Sequence, residues 1–204
     1  MNIAMLILRL GIGLTVAAHG AQKLFGLFAG HGITGTARFL ESLGFRPGRA
    51  YAWLLGLAET LGGAGLALGL LTPLAAAAVA GVMVTAAVAV HIRQGFFAER
   101  GGFEYLLTLA LASMAIAFAG PGRYSLDRAL DWHLAGTSWG LAAVVSALVT
   151  AGLTLADRAA VERSRACRTR DAPPAWPPDP PGAGDRLARP GPVDPGGAAS
   201  GGGG

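Results

Sequence analysis

Apolar positions along the chain gather into long runs broken by short polar or glycine-proline interruptions. The runs lie at about Ile3–Phe25, Tyr51–Leu71, Leu74–Ile92, Phe103–Ala119 and Ser138–Ala156. Each approaches the roughly 17–25 residues that a helix needs to cross a bilayer. Between the first two runs, Thr36, Phe39, Leu40 and Leu43 repeat at helical spacing with Arg38 and Glu41 among them, stopped by Gly44 and Pro47. That pattern suits either a short helix lying at the membrane interface or a plain loop. After the fourth run, Gly120-Pro121-Gly122 makes a sharp turn, and Ser125 can N-cap a short surface segment through Trp132. The pattern predicts an all-α integral membrane protein: a four-helix transmembrane bundle over residues 1–135, a fifth transmembrane helix over 136–157, and a basic, then Pro/Gly-rich tail over 158–204.

Composition sharpens this picture. The chain is 52% hydrophobic and only 14% charged, with a mean hydropathy of +0.49, whereas a soluble domain carries charge on about a quarter of its residues. The net charge of +4 does not imply nucleic acid, because the cations sit in loops and a tail beside apolar spans. With five spans, thirteen of the sixteen Lys/Arg fall on one side, Arg123 and Arg128 fall on the other, and Arg9 stays in the membrane. The positive-inside rule then puts the N-terminus outside and the tail in the cytoplasm. The first run reads as a retained span rather than a cleaved leader, since no cation precedes it and Arg9 interrupts it. Cys167 is the single cysteine, so the chain has no internal disulfide or C-x-x-C pair. From about Asp171 onward the composition cannot bury a core and predicts disorder.

Candidate chemistry lies in the ionisable residues that the spans carry. On a helix Arg9, Gly13, Val16, Gly20 and Lys23 share a stripe roughly 80° wide, with His19 at its edge and Gln22 on the far side. A charge at bilayer depth costs about 2.5–3.5 kcal/mol, so the stripe should face protein. Glu59 lies roughly 12 Å down the second run, flanked by Gly56 and Gly63. His91 closes the third run and Glu104 opens the fourth, where the helix dipole stabilises a carboxylate. His19, Lys23, Glu59, His91 and Glu104 thus reach one side of the bundle.

Several chemistries fit this set. Arg9 could neutralise Glu59 across a helix interface with no further role. Glu59, His19 and His91 could relay protons to a quinone-like ligand, with Lys23, Gln22, Glu104 and Arg9 holding it. Haem between the two histidines is disfavoured by their unequal depth. A two-His, two-Glu metal site fits only on paper, and no metal is assigned.

These residues lie in an ordered set of motifs: Arg9-Leu10-Gly11, His19-Gly20-Ala21-Gln22-Lys23-Leu24-Phe25-Gly26, Gly56-Leu57-Ala58-Glu59 with Gly62-Gly63, His91 followed by Gln94-Gly95-Phe96-Phe97, Gly101-Gly102-Phe103-Glu104-Tyr105, and Gly120 to Asp127. Over about Met5 to Asp131 the set resembles the DoxX family of bacterial membrane proteins. The resemblance implies a four-helix membrane bundle and a setting in redox or oxidative-stress physiology. It implies either a quinone-interacting subunit of an oxidoreductase or a non-catalytic scaffold or chaperone for a soluble redox protein. A small proton-coupled transporter is a third expectation. Partners expected on these grounds are the lipid bilayer, a quinone, a soluble redox protein on the cytoplasmic face and, through glycine-rich faces, a second copy of the chain. The fifth run and the tail depart from the family's four-span pattern.

Overall fold

A computed structural model describes residues 2–170 of the chain, with side chains to residue 168. The Pro/Gly-rich stretch from Asp171, for which disorder was expected, lies outside the described residues. Seven α-helices form among the described residues, and no strand does: α1 (Asn2–Phe25), α2 (Gly32–Ser42), α3 (Gly48–Leu68), α4 (Thr72–Ala86), α5 (Glu104–Ala119), α6 (Leu126–Ala129) and α7 (Thr137–Arg170). Four stretches are long and apolar enough to cross a membrane: α1, α3, Thr72–Gln94 and the described part of α7. At 16 residues, α5 spans roughly 24 Å, somewhat less than a hydrocarbon core of about 30 Å. The protein is an all-α membrane bundle.

Helix boundaries follow local chemistry. Gly69 closes α3 in the left-handed conformation (φ +64°), and Leu70 N–H bonds back to Gly65 O at 2.8 Å, the geometry glycine permits at a helix end. Pro73 sits in the first turn of α4, where its missing N–H costs nothing. Ser125 caps α6 as expected, its Oγ accepting from Arg128 N–H at 3.2 Å.

The centre of the bundle is α4. It buries nearly consecutive residues, including Ala75, Ala76, Ala77, Val79 and Ala80, a pattern that only a helix packed on several sides can satisfy. Around it stand α3, α5 and α7, while α1 packs on α3. Outward-facing Ile3, Ile7, Leu14, Leu61 and Leu153 are all well exposed, as lipid contact requires.

The close α1–α3 contact is set by glycine. A Cβ on Gly13 would meet the Gly63 and Ala67 backbone, one on Gly20 would meet Thr60, and one on Gly63 would meet Ala17 and Gly13. Small residues at such spacing let two backbones approach closely. The resulting antiparallel register puts Arg9 beside Ala67 and Lys23 beside Glu59.

The structure corrects three expectations. Basic residues 158–170 continue α7 as helix instead of beginning a tail, because no Gly or Pro intervenes and Arg158 Nε pairs with Glu162 Oε1 one turn on at 3.2 Å. The third run does not stay α-helical to Ile92; it widens into a π-helical turn over Ala87–His91 and then tightens into a 3-10 turn over Ile92–Gln94. Finally, α6 is not only a surface segment, since Asp127 is fully buried.

Candidate functional site

The bundle holds a cavity of about 810 Å³ between α1, α2, α3, α4, the π turn, α5 and α7. Its walls are mostly aliphatic, with Leu55, Leu74, Ala78, Val82, Leu106 and Leu109 among them. Four sequence-predicted residues, His19, Lys23, Glu59 and His91, line it together. Tyr105 and Ser146, Thr150 and Thr154 of α7 also line it.

At the polar corner Lys23 Nζ lies 2.5 Å from Glu59 Oε2. The Glu59 side chain is 5% exposed and that of Lys23 27%, so the carboxylate is nearly enclosed while the ammonium keeps some access. A second Lys23 N–H reaches His19 O at 3.5 Å. A closely matched pair is the arrangement under which a buried carboxylate stays charged at tolerable cost.

The histidine tautomers can be read from their partners. Gln22 Nε2 donates to Phe28 O at 3.2 Å, which fixes the amide orientation and leaves its Oε1 to accept. His19 Nδ1 lies 3.1 Å from that oxygen, so Nδ1 carries the proton. Phe28 itself is held at φ +50° in the turn after α1. His91 Nδ1 lies 2.5 Å from Gly101 O, and a carbonyl can only accept, so this nitrogen also donates. When either ring is neutral, its Nε2 therefore bears the lone pair.

The π turn explains the placement of His91. One extra residue in a helical turn rotates the later residues by roughly 100° relative to an unbroken α-helix. Such turns recur at functional sites. Here the rotation carries His91 to the 95–103 loop, which folds back through Gly102 N–H to Phe97 O at 3.0 Å and Phe103 N–H to Gly95 O at 3.2 Å.

Three residues expected at the site serve elsewhere. Gln22 does not line the cavity but orients His19 from behind. Glu104 accepts from Ala98 N–H at 3.1 Å and holds the same loop, because the first turn of α5 points it there. Arg9 does not pair with Glu59. The α1–α3 register carries it to the opposite end, where the residue is 1% exposed and its guanidinium bonds Pro121 O, Tyr124 O at 2.6 Å and Ala67 O at 3.4 Å.

That opposite end is knit together by a second residue. Asp127 accepts from Leu71 N–H at 2.7 Å, Thr72 N–H at 2.9 Å and Thr72 Oγ1 at 2.6 Å, covering the N-terminus of α4. The two residues anchor the Gly120–Asp127 turn on α1, α3 and α4.

Sequence reasoning missed the α7 wall. Ser146, Thr150 and Thr154 recur every four residues, a hydroxyl ladder legible as one face of the fifth run. It also missed the docking of α7 beyond that wall, where Tyr51 OH donates to Asp157 Oδ2 at 2.5 Å. Arg158 lies over the Phe45 ring at 5.4 Å and bonds Ala89 O at 3.4 Å. Among the described residues, no group of three or more His, Cys, Asp or Glu is placed to hold a metal ion.

The model of the DoxX family matches residues 4–92. This stretch holds α1 through the π turn, with His19, Lys23, Glu59 and His91. Comparison with curated proteins and with solved structures gives no match.

Proposed function

We propose, since the chain belongs to the DoxX family through residues 4–92, that it is a quinone-interacting membrane protein of redox or oxidative-stress physiology. The observation that carries this reading is the cavity: about 810 Å³ of mostly aliphatic wall with His19, Lys23, Glu59 and His91 gathered at one corner. Small-molecule sites commonly measure about 300–1,000 Å³ and combine apolar walls with a few convergent polar groups. A substituted quinone ring with the first part of an isoprenoid tail has that character. The aliphatic wall takes the ring faces and tail, and the polar corner takes the ring oxygens.

When bound, a quinone supplies an exchange of two electrons coupled to two protons. Lys23 keeps one N–H beyond its bonds to Glu59 and His19, and can donate it to a ring oxygen. Both histidine Nε2 atoms can accept a proton and return it. Glu59 holds the ammonium in place, and Gln22 keeps His19 in the accepting tautomer. Electrons would come from or pass to a soluble redox protein docked at the basic end, which the charge bias assigns to the cytoplasm.

A second reading, a non-catalytic scaffold for such a protein, draws support from α7, whose arginine-bearing extension lies beyond the family match. Crosslinking pull-downs with a chain ending at residue 159, which keeps Asp157 and Arg158, test it. Loss of a redox partner supports the scaffold, and an unchanged set of partners removes it.

The leading reading is tested by purifying the full chain in detergent and extracting bound lipid. Near-stoichiometric quinone, lost in Glu59→Gln and His19→Ala, is expected. Folded protein free of quinone that also fails to take up added quinone contradicts the proposal.

A further inference from the structure

The hydrogen-bonding inventory of the cavity is lopsided. When neutral, His19 and His91 each offer Nε2 as an acceptor, since their Nδ1 protons go to Gln22 and Gly101. Three lining threonines have also committed their hydroxyl protons. Thr85 Oγ1 donates to Gly81 O at 2.8 Å, Thr150 to Ser146 O at 2.8 Å and Thr154 to Thr150 O at 2.8 Å. Each hydroxyl keeps only lone pairs for a ligand. Against these five acceptors stand few free donors: the remaining Lys23 N–H and the hydroxyls of Tyr105 and Ser146.

A quinone ring presents carbonyl oxygens, which only accept. A hydroquinone presents hydroxyls, which donate and accept. A site rich in committed acceptors leaves lone pairs facing lone pairs around the first and completes hydrogen bonds with the second. The four acceptors on His19, Thr85, His91 and Thr154 are half-buried and that on Thr150 is exposed; once a ring covers them, a lone pair left unpaired is costly in proportion to its desolvation, so the two forms are not bound alike.

Resting on the quinone reading above, we propose that the cavity selects the reduced, hydroxyl-bearing form of its ring over the oxidised form. The selecting residues are His19 and His91 on the family domain and Thr150 and Thr154 on α7. Gln22 acts as a positioning residue, because it sets which nitrogen His19 presents. The helix outside the family match thereby contributes to specificity.

The test uses the full chain in lipid nanodiscs. Under anaerobic conditions it is titrated at neutral pH with a decyl-substituted benzoquinone and, separately, with its hydroquinone. The hydroquinone is expected to bind about tenfold more tightly, the effect of one net hydrogen bond. Thr150→Val with Thr154→Val, nearly isosteric and on an apolar helix, should shrink that ratio severalfold through weaker hydroquinone binding. Gln22→Leu should shrink it as well, by releasing the His19 tautomer. Equal affinities, or tighter quinone binding, overturn this inference and leave the quinone site standing. Binding of neither form overturns both.

Discussion

The Lys23 ammonium rests 2.5 Å from Glu59 Oε2, two helices apart in sequence and one glycine-lined interface apart in space. The pair exists because Gly13, Gly20 and Gly63 bring the α1 and α3 backbones together. It anchors the polar corner of an otherwise aliphatic cavity, and its energetics are directly testable.

Removing one partner should cost more than removing both. Lys23→Met leaves Glu59 enclosed without its cation, a loss of roughly 3–5 kcal/mol read as a lowered denaturation midpoint in detergent. Adding Glu59→Gln to Lys23→Met should recover most of that loss. If the double variant is no more stable than Lys23→Met alone, the pair does not act as described.

The interface beneath that pair should tolerate no extra carbon. In Gly63→Ala, the new methyl would run into the Ala17 and Gly13 backbone, so α1 and α3 must separate and the Lys23–Glu59 contact must lengthen. Gly11→Ala is the control, since nothing lies within 4 Å of its Cβ position. The first should be unstable or misfolded, and the second as stable as the parent or slightly more so. Size-exclusion profiles and thermal melts distinguish them.

At the far end, Arg9 is a staple and should be separable from ligand chemistry. Arg9→Lys replaces a fork that spans carbonyls of α3 and the Gly120–Asp127 turn with a single point charge. A loss of about 2 kcal/mol in stability is expected, with quinone affinity of the folded fraction unchanged. A selective fall in affinity would instead place Arg9 at the ligand.

The α7 extension should loosen when its anchor is cut. Tyr51→Phe removes the bond to Asp157 at a cost of about 1 kcal/mol. Hydrogen exchange across residues 158–168 should quicken while exchange in α4 stays slow. Unchanged protection over that segment would show that it is held without the Tyr51 bond.

Much of this architecture was legible because it rests on periodicity. The Arg9–Lys23 stripe faces protein as its spacing requires, and the depths of His19, Lys23, Glu59 and His91 foretold their meeting. Register was not legible, because depth along a helix does not say which backbone it touches. Arg9 and Glu59 are each deep in their own spans, yet the glycine contacts offset them by several turns. The π turn was equally hidden, since Ala87 to Val90 reads as ordinary apolar helix. Glu104 shows the limit of counting charges by side, for it lies at the correct end and points to a loop. The helical run from Arg158 was masked by its arginines, which resemble a tail in composition but are good helix formers.

The proposed function requires a quinone ring in the cavity, and photolabelling tests that occupancy directly. The full chain in nanodiscs is irradiated with an azido-substituted quinone and the modified peptides are mapped by mass spectrometry, with excess unlabelled quinone as competitor. Occupation of the cavity predicts competable labels on lining peptides of α1, α3, α4 and α7, around Lys23, Glu59, Val82 and Thr150. Labels confined to the Arg9–Asp127 end, or spread over lipid-facing residues without competition, would contradict it.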